Sequence, residues 1–170
     1  MPTCTARAKR ARMPRFASWL GLAGLVIVLD QLSKLWVLAA LKPGGRIDLT
    51  SFFNLVLVFN PGAAFSFLSD AGGWQRWFFV ALGLAVSGWL TFLIRRHAAE
   101  RLLPLSAALI LGGALGNVID RIRFGAVADF LDVHAAGWHW PAFNVADSAI
   151  SVGVALLVWQ QLFCASKDKS

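Results

Sequence analysis

The sequence has few of the residues that build a disulfide-stabilised, zinc-binding or water-soluble domain. Its only two cysteines, Cys4 and Cys164, lie near opposite ends of the chain, and no CxxC motif supplies half of a zinc site. Charged residues make up 15% of the 170 positions, hydrophobic residues make up 58%, and the mean hydropathy is +0.64. Because so little polar surface cannot cover a soluble globule, the composition predicts an integral membrane protein.

Histidine is also scarce, and the three histidines form no recognisable catalytic pattern. His97 falls in a basic segment between two apolar runs, while His134 and His139 have no nucleophile motif beside them. There is no HExxH motif either. The sequence therefore favours neither Ser–His–Asp chemistry nor a metal site, and we expect no cofactor.

Basic residues outnumber acidic residues by 16 to 9, but their distribution does not suggest a nucleic-acid partner. Ten of the 16 fall in three segments: Arg7, Lys9, Arg10, Arg12, Arg15, Arg95, Arg96, Arg101, Lys167 and Lys169. An even number of membrane crossings between the segments places all three on one side, which is the positive-inside pattern. We therefore predict that both termini and the central loop are cytoplasmic.

Apolar runs predict four transmembrane helices, because each has about the ~20 residues that a spanning helix needs. The predicted helices cover about 17–39, 74–94, 102–122 and 142–163. They form one membrane domain over 16–165, with basic cytoplasmic tails at 1–15 and 166–170. The first helix begins like a secretory signal, but no A-x-A cleavage site follows it and the apolar pattern continues.

Two segments are predicted on the outer side of the membrane. Residues 43–70 show short alternations of branched and aromatic residues broken by turn signals, which indicates a small β-like element on the extracytoplasmic surface. An ordinary hairpin without contact to substrate is the alternative. Residues 123–141 are predicted to be a loop. The predicted fold class is thus an all-α membrane protein with four transmembrane helices and a small extracytoplasmic β-like element.

Three of the helices carry a polar cluster, and each cluster lies at the outer end. The clusters are Asp30, Ser33 and Lys34; Asn117, Asp120 and Arg121; and Asn144, Asp147, Ser148 and Ser151. A carboxylate at the centre of a membrane helix costs roughly 2.5–3.5 kcal/mol, so carboxylates retained there are functional candidates. We therefore predict that the three clusters converge into one site.

Paired carboxylates are the chemistry that this set of residues favours. Two aspartates held close in a site of low dielectric share a proton, so one can activate water while the other protonates a carbonyl oxygen or leaving group. Asp129 and Asp147 each follow a Val-Ala pair and have no adjacent cation, so they are the better candidates. Asp30 has Lys34 at helical spacing and Asp120 has Arg121 beside it, which favours structural ion pairs.

The remaining aspartates are expected outside this chemistry, and two other functions stay open. Asp48 and Asp132 are predicted to be solvated, and Asp70 is predicted to be a turn residue. A proton-coupled transporter or channel subunit would need polar residues at several depths and inverted repeats, whereas the inner halves of these helices are nearly uncharged. A non-catalytic assembly protein would leave the outward bias of the clusters unexplained.

Five motifs in order make the chain resemble the lipoprotein signal peptidases, or signal peptidase II, of bacterial inner membranes. They are DQLSK at 30–34, FNPGAAFSFL at 59–68, GGALGNVIDR at 112–121, VADF at 127–130 and FNVADS at 143–148. The resemblance covers nearly the whole chain and agrees with its length and topology. Pro61 departs from the family pattern, which favours a small polar residue in that turn.

The resemblance implies an aspartic endopeptidase that removes the signal peptide on the amino side of a diacylglyceryl-modified cysteine, at the periplasmic face of the membrane. It matches Asp129 and Asp147 to the catalytic pair. It also implies that residues contacting substrate or globomycin-type inhibitors include Asn60, Gly62, Asn117, Arg121 and Asn144. Asp30, Lys34 and Asp120 match positions that hold the site together. The implied partners are diacylglyceryl-prolipoproteins and membrane lipid.

Overall fold

The computed structural model of the protein describes residues 12–62 and 72–163. Within them lie four helices long and apolar enough to cross a membrane, and one antiparallel sheet. The helices are α1 (Arg12–Ala40), α2 (Gln75–Arg96), α3 (Leu102–Phe124) and α4 (Val145–Phe163). The strands are β1 (Arg46–Asp48), β2 (Phe53–Asn60), β3 (Val127–Ala135) and β4 (Trp138–His139). The predicted fold class is confirmed.

The helices differ from the predicted ranges mainly at their starts. α1 begins at Arg12 rather than near residue 17, and it includes Pro14. A proline in the first turn costs little, because the N–H groups there have no acceptor within the helix. α4 begins at Val145 rather than near residue 142.

Residues 123–141, predicted to be the second outer loop, are not irregular throughout. β3 and β4 lie in this range, and the sheet has the order β1-β2-β3-β4 with every neighbouring pair antiparallel. β3 pairs with β2, which lies on the far side of two helices in the sequence. A strand whose partner is so distant gives little local signal, and the alternation in β3 is interrupted because its first four residues are all buried.

α3 occupies the centre of the bundle and packs against each of the other three helices. Glycines permit these close approaches, as their spacing at Gly112 and Gly116 predicts. A Cβ added at Gly112 would lie 2.7 Å from the carbonyl oxygen of Ala23 in α1. One added at Gly113 would meet the carbonyl of Ala146 in α4. No larger residue fits these contacts without moving a helix.

Two groups of buried apolar residues hold the molecule together. One joins α1, α2 and α3 and consists of Ala23, Leu90, Ile94, Ala107, Ala108 and Leu111. The other joins the outer end of α1 to the sheet and consists of Val37, Leu55, Leu57, Ala128 and Phe130. The second group fixes the sheet against the helices, which sets β3 beside the polar ends of α1, α3 and α4.

Some predictions fall on residues outside the described ranges. They concern Cys4 and Cys164, the turn at Asp70, most of the two tails, and residues 63–70 of the β-like segment.

Candidate active site

A buried ion cluster joins α1 to α3 at their outer ends. Lys34 Nζ lies 2.8 Å from Asp30 Oδ2 and 2.7 Å from Asp120 Oδ2, and the three side chains are at most 2% exposed. Gln31 adds a hydrogen bond of 2.9 Å from Nε2 to Asp120 Oδ1. Asp120 was expected to pair with Arg121, but its partner is Lys34, because adjacent helical residues point about 100° apart.

Both carboxylates of this cluster also accept hydrogen bonds from backbone N–H groups of other elements. Asp30 Oδ1 accepts the N–H of Ala146 over 2.9 Å, and Asp120 Oδ2 accepts the N–H of Ala128 over 3.2 Å. Each alanine is almost fully buried and directly precedes an aspartate of the repeated Val-Ala-Asp phrase. The ion cluster therefore fixes the start of α4 and the start of β3 together.

Asp129 lies on β3 and is 3% exposed. Its carboxylate accepts hydrogen bonds from Asn144 Nδ2 over 2.7 Å and from Asn60 Nδ2 over 3.4 Å. Burial, followed by the nearby negative charge of Asp147, raises the pKa of Asp129 to about 7, although both amides oppose the shift. At neutral pH this carboxyl is therefore poised to hold or release a proton.

Asp147 lies in the first turn of α4 and is supported by Asn117 of α3. Asn117 Nδ2 donates to Asp147 Oδ1 over 2.8 Å, and Asn117 Oδ1 accepts from Lys34 Nζ over 3.2 Å. The orientation of the Asn117 amide is thus set by the ion cluster. Within the described part of the chain, Asn117 is the side chain that donates to the Asp147 carboxylate, and it does so at Oδ1.

Asn144 connects the two aspartates. Its Oδ1 accepts the N–H of Asp147 over 2.9 Å, which is the geometry of a helix N-cap, and this cap is why α4 begins at Val145. Its Nδ2 donates to Asp129 Oδ1 over 2.7 Å. Since Asn144 is fully buried, one rigid amide fixes both the carboxylate of Asp129 and the backbone of Asp147.

Arg121 reaches from α3 to the turn that follows β2. Its guanidinium donates to the carbonyl of Gly62 over 2.8 Å and to the carbonyl of Asn117 over 3.3 Å, and it lies 4.9 Å from the ring centre of Phe79. The N–H of Gly62 in turn donates to Asn60 Oδ1 over 3.0 Å. Arg121 and Asn60 therefore hold this turn against the aspartates.

A cavity of about 590 Å³ opens at the two aspartates. Asn60, Gly62, Asn117 and Arg121 line it with them, so six of the residues predicted for the site share one cavity. Asn144 contacts the Asp129 carboxylate and the backbone N–H of Asp147 from behind, and the ion cluster lies outside the lining. The rest of the lining comes from Val127, from residues 140–143 before α4, and from α4 itself. Along α4 the lining extends from Asp147 to Val152, about 7.5 Å into the span at 1.5 Å per residue.

Sequence reasoning was wrong about Asp132. It is buried rather than solvated, and it accepts hydrogen bonds from Asn54 Nδ2 over 2.7 Å and from His139 Nδ1 over 2.8 Å. Burial alone would raise the pKa of Asp132, but these two hydrogen bonds and the adjacent histidine charge outweigh it, so the pKa lies below its usual value. Asp48 is exposed, as predicted, and pairs with Arg46. Recognising β3 as a strand paired with β2 would have indicated that Asp132 lies opposite Asn54 and is buried.

The arrangement suits hydrolysis by a pair of carboxylates. Both carboxylates lie at a cavity wall, each is held by an amide, and burial favours one shared proton between them. In the part of the chain that the structure describes, no three His, Cys, Asp or Glu side chains converge as metal ligands would.

Comparison with known proteins gives consistent matches over most of the chain. A family model described as Signal peptidase (SPase) II matches residues 22–163. A protein named Lipoprotein signal peptidase from Burkholderia vietnamiensis (strain G4 / LMG 22486) is 60% identical over 146 residues, which are 86% of this chain and 88% of that protein. A Lipoprotein signal peptidase from Burkholderia pseudomallei (strain 668) is 57% identical over 146 residues, which are likewise 86% of this chain and 88% of that protein.

Solved structures show a similar fold. A bacterial membrane enzyme determined by the in meso method at 2.3 Å resolution has a TM-score of 0.78 and 30% identity, covering 91% of this chain and 90% of that one. A second, at 1.9 Å resolution, has a TM-score of 0.75 and 30% identity, covering 86% and 94%.

Proposed function

Because the chain belongs to the signal peptidase II family of aspartic peptidases, we propose that Asp129 and Asp147 are its catalytic pair. The protein is a bacterial multi-pass membrane enzyme that removes signal peptides from prolipoproteins during lipoprotein maturation. The observation that carries the proposal is the cavity, since it has both carboxylates in its wall and each carboxylate is fixed by a buried amide.

In the proposed reaction the pair holds one proton. The ionised carboxylate takes a proton from water, the water oxygen attacks the scissile carbonyl carbon, and the protonated carboxyl donates to the carbonyl oxygen. The tetrahedral intermediate then collapses: the C–N bond breaks, the amine leaves with a proton from the pair, and a hydroxyl of the intermediate returns one proton to the pair, which again holds a single proton. Asp147 Oδ2 is the oxygen we assign to the water, since Asn117 donates to Oδ1 of the same carboxylate.

The proposed substrate is a prolipoprotein with a diacylglyceryl-modified cysteine, cleaved on the amino side of that cysteine. The cavity supports this choice because it begins at the aspartates and continues past Ile150 to Val152 along α4, a helix long and apolar enough to cross a membrane. A lipid-anchored peptide would present its scissile bond at the aspartate end of that cavity. Asn60, Gly62, Asn117 and Arg121 would contact the peptide backbone, and globomycin-type inhibitors would compete for the same wall.

We propose the bacterial inner membrane as the location, with both termini cytoplasmic and the site near the periplasmic face. Arg95 and Arg96 end α2 at one end of the bundle, whereas the aspartates lie at the opposite end, where α3 ends and α4 begins. The positive-inside rule then orients the pair outward.

The test is cleavage by the purified protein in detergent, with products read by mass spectrometry. We expect a diacylglyceryl-modified prolipoprotein to yield a product that begins with the lipidated cysteine, and the same chain without lipid to remain intact. Equal cleavage of both substrates, or cleavage at another bond, would contradict the proposed substrate.

A further inference from the structure

One wall of the cavity is a short segment whose position depends on contacts outside the site. Residues 140–143 line the cavity between β4 and α4. At the α4 end, Phe143 exchanges backbone hydrogen bonds with Leu131 over 2.8 and 3.1 Å. At the other end, the N–H of Trp140 donates to the carbonyl of Val133 over 2.8 Å. The Trp140 end is therefore attached to β3 directly beside the short pairing of β4 with β3.

β4 has only two residues and pairs with β3 through His134↔His139 and Ala135↔Trp138. So short a strand gains little from its backbone pairing alone. The side chain of His139 supplies a further attachment.

That attachment is the buried carboxylate of Asp132. His139 Nδ1 lies 2.8 and 3.1 Å from its two oxygens, and Asn54 of β2 fixes the same carboxylate from the other side over 2.7 Å. A hydrogen bond to a buried carboxylate is among the stronger ones in proteins. The rings of His134 and His139 also stack, with centres 4.8 Å apart.

Two aromatic rings transmit this attachment to the cavity. The rings of Trp138 and Trp140 are in edge contact, with centres 5.8 Å apart, and they flank His139 in the chain. Trp140 lines the cavity directly, in the same wall segment as Pro141. When His139 is held on Asp132, Trp140 is held at the cavity edge.

We propose that Asp132 and His139 are positioning residues for substrate binding, because their hydrogen bond holds Trp140 and the 140–143 wall against the peptide. This inference rests on the proposed function and adds to it. The pair does not touch the catalytic aspartates, which are held by the ion cluster, Asn117 and Asn144. Its loss therefore weakens substrate binding and leaves the chemical step nearly unchanged.

The test compares kcat and KM for lipidated substrate in the wild type and three variants. His139→Ala removes the donor, and Asp132→Asn replaces one carboxylate acceptor with a donor while keeping the volume. His139→Asn keeps an N–H donor near the position of Nδ1. Asp48→Asn, an exposed carboxylate on β1 of the same sheet, is the control.

We expect KM to rise about tenfold in His139→Ala and Asp132→Asn, the loss expected for one charge-assisted hydrogen bond. In both, kcat should stay within about twofold of wild type. His139→Asn should recover most of the wild-type KM, and Asp48→Asn should not change it. A purely structural role would instead lower the melting temperature and kcat together, with no recovery in His139→Asn.

An unchanged KM in both loss variants would overturn the inference. Failure of both to fold beside a stable His139→Asn would also overturn it, since the pair would then be structural. Asp129→Asn is assayed alongside. If that variant cleaves, the proposed catalytic pair is wrong, whatever the KM values show. If it is inactive and the KM values do not move, only the positioning role fails.

Discussion

The carboxylate of Asp30 accepts a hydrogen bond from the backbone N–H of Ala146 over 2.9 Å, so a residue of α1 anchors the first turn of α4. Asp120 of α3 makes the equivalent bond to Ala128 at the start of β3. Lys34 bridges the two carboxylates. One buried ion cluster thus aligns the two backbone segments that carry Asp129 and Asp147, the proposed catalytic pair.

Lys34→Met should destabilise the protein by about 3–5 kcal/mol, because it leaves two buried carboxylates without their cation. The hydrogen bonds from these carboxylates to the backbone of Ala128 and Ala146 would shift as the carboxylates move, so cleavage should also be lost. Unfolding in mixed detergent measures the stability. Lys42→Met is the matched control: Lys42 is exposed just beyond α1, and its loss should cost no more than about 0.5 kcal/mol. Wild-type stability of Lys34→Met would show that the cluster does not hold the fold.

Gly113→Ala should displace the start of α4, because an added Cβ would overlap the carbonyl of Ala146. Overpacking of this kind typically costs about 1–3 kcal/mol. A shift of about 1 Å in Asp147 would reduce kcat by about 10²-fold. The measurements are thermal stability and turnover. Gly88→Ala on α2 is the control, since a Cβ there meets nothing within 4 Å. Equal behaviour of the two variants would mean that α4 can move without cost.

The sequence predicts the helices and the polar convergence because both depend on local patterns. Apolar runs of spanning length identify α1 to α4, and helical spacing places Asp30, Asn117 and Asn144 at outer ends. The catalytic candidates Asp129 and Asp147 follow from the absence of an adjacent cation. These features need no knowledge of which elements become neighbours.

The partners could not be predicted, because they depend on contacts between distant elements. Nothing near Asp120 in the sequence indicates that its cation is Lys34, 86 positions earlier. β3 was missed because its partner β2 precedes two helices, and with it the burial of Asp132 was missed. The hydrogen bond from Asn144 to Asp129, which joins the start of α4 to β3, likewise appears only in three dimensions.

The rate should fall as pH rises above neutrality. Burial and then the charge of Asp147 raise the pKa of Asp129 to about 7, so above that pH the pair loses its shared proton and kcat should fall about tenfold per pH unit. Asn60→Ala removes a donor that favours the ionised form of Asp129, so its pKa should rise and the alkaline fall should begin at higher pH. The measurement is kcat against pH for both proteins. An alkaline fall that begins at lower pH in Asn60→Ala would contradict this assignment.

The measurement that tests the central claim most directly is turnover of lipidated prolipoprotein by purified Asp129→Asn and Asp147→Asn beside the wild type. Each substitution keeps the size of the side chain and removes its ability to exchange a proton. We predict that the wild type cleaves, that neither variant shows detectable cleavage, and that both keep near-wild-type melting temperatures. Asp48→Asn, on an exposed strand, should cleave like the wild type. Robust cleavage by either catalytic variant would contradict the account, because the chemistry would then belong to another residue.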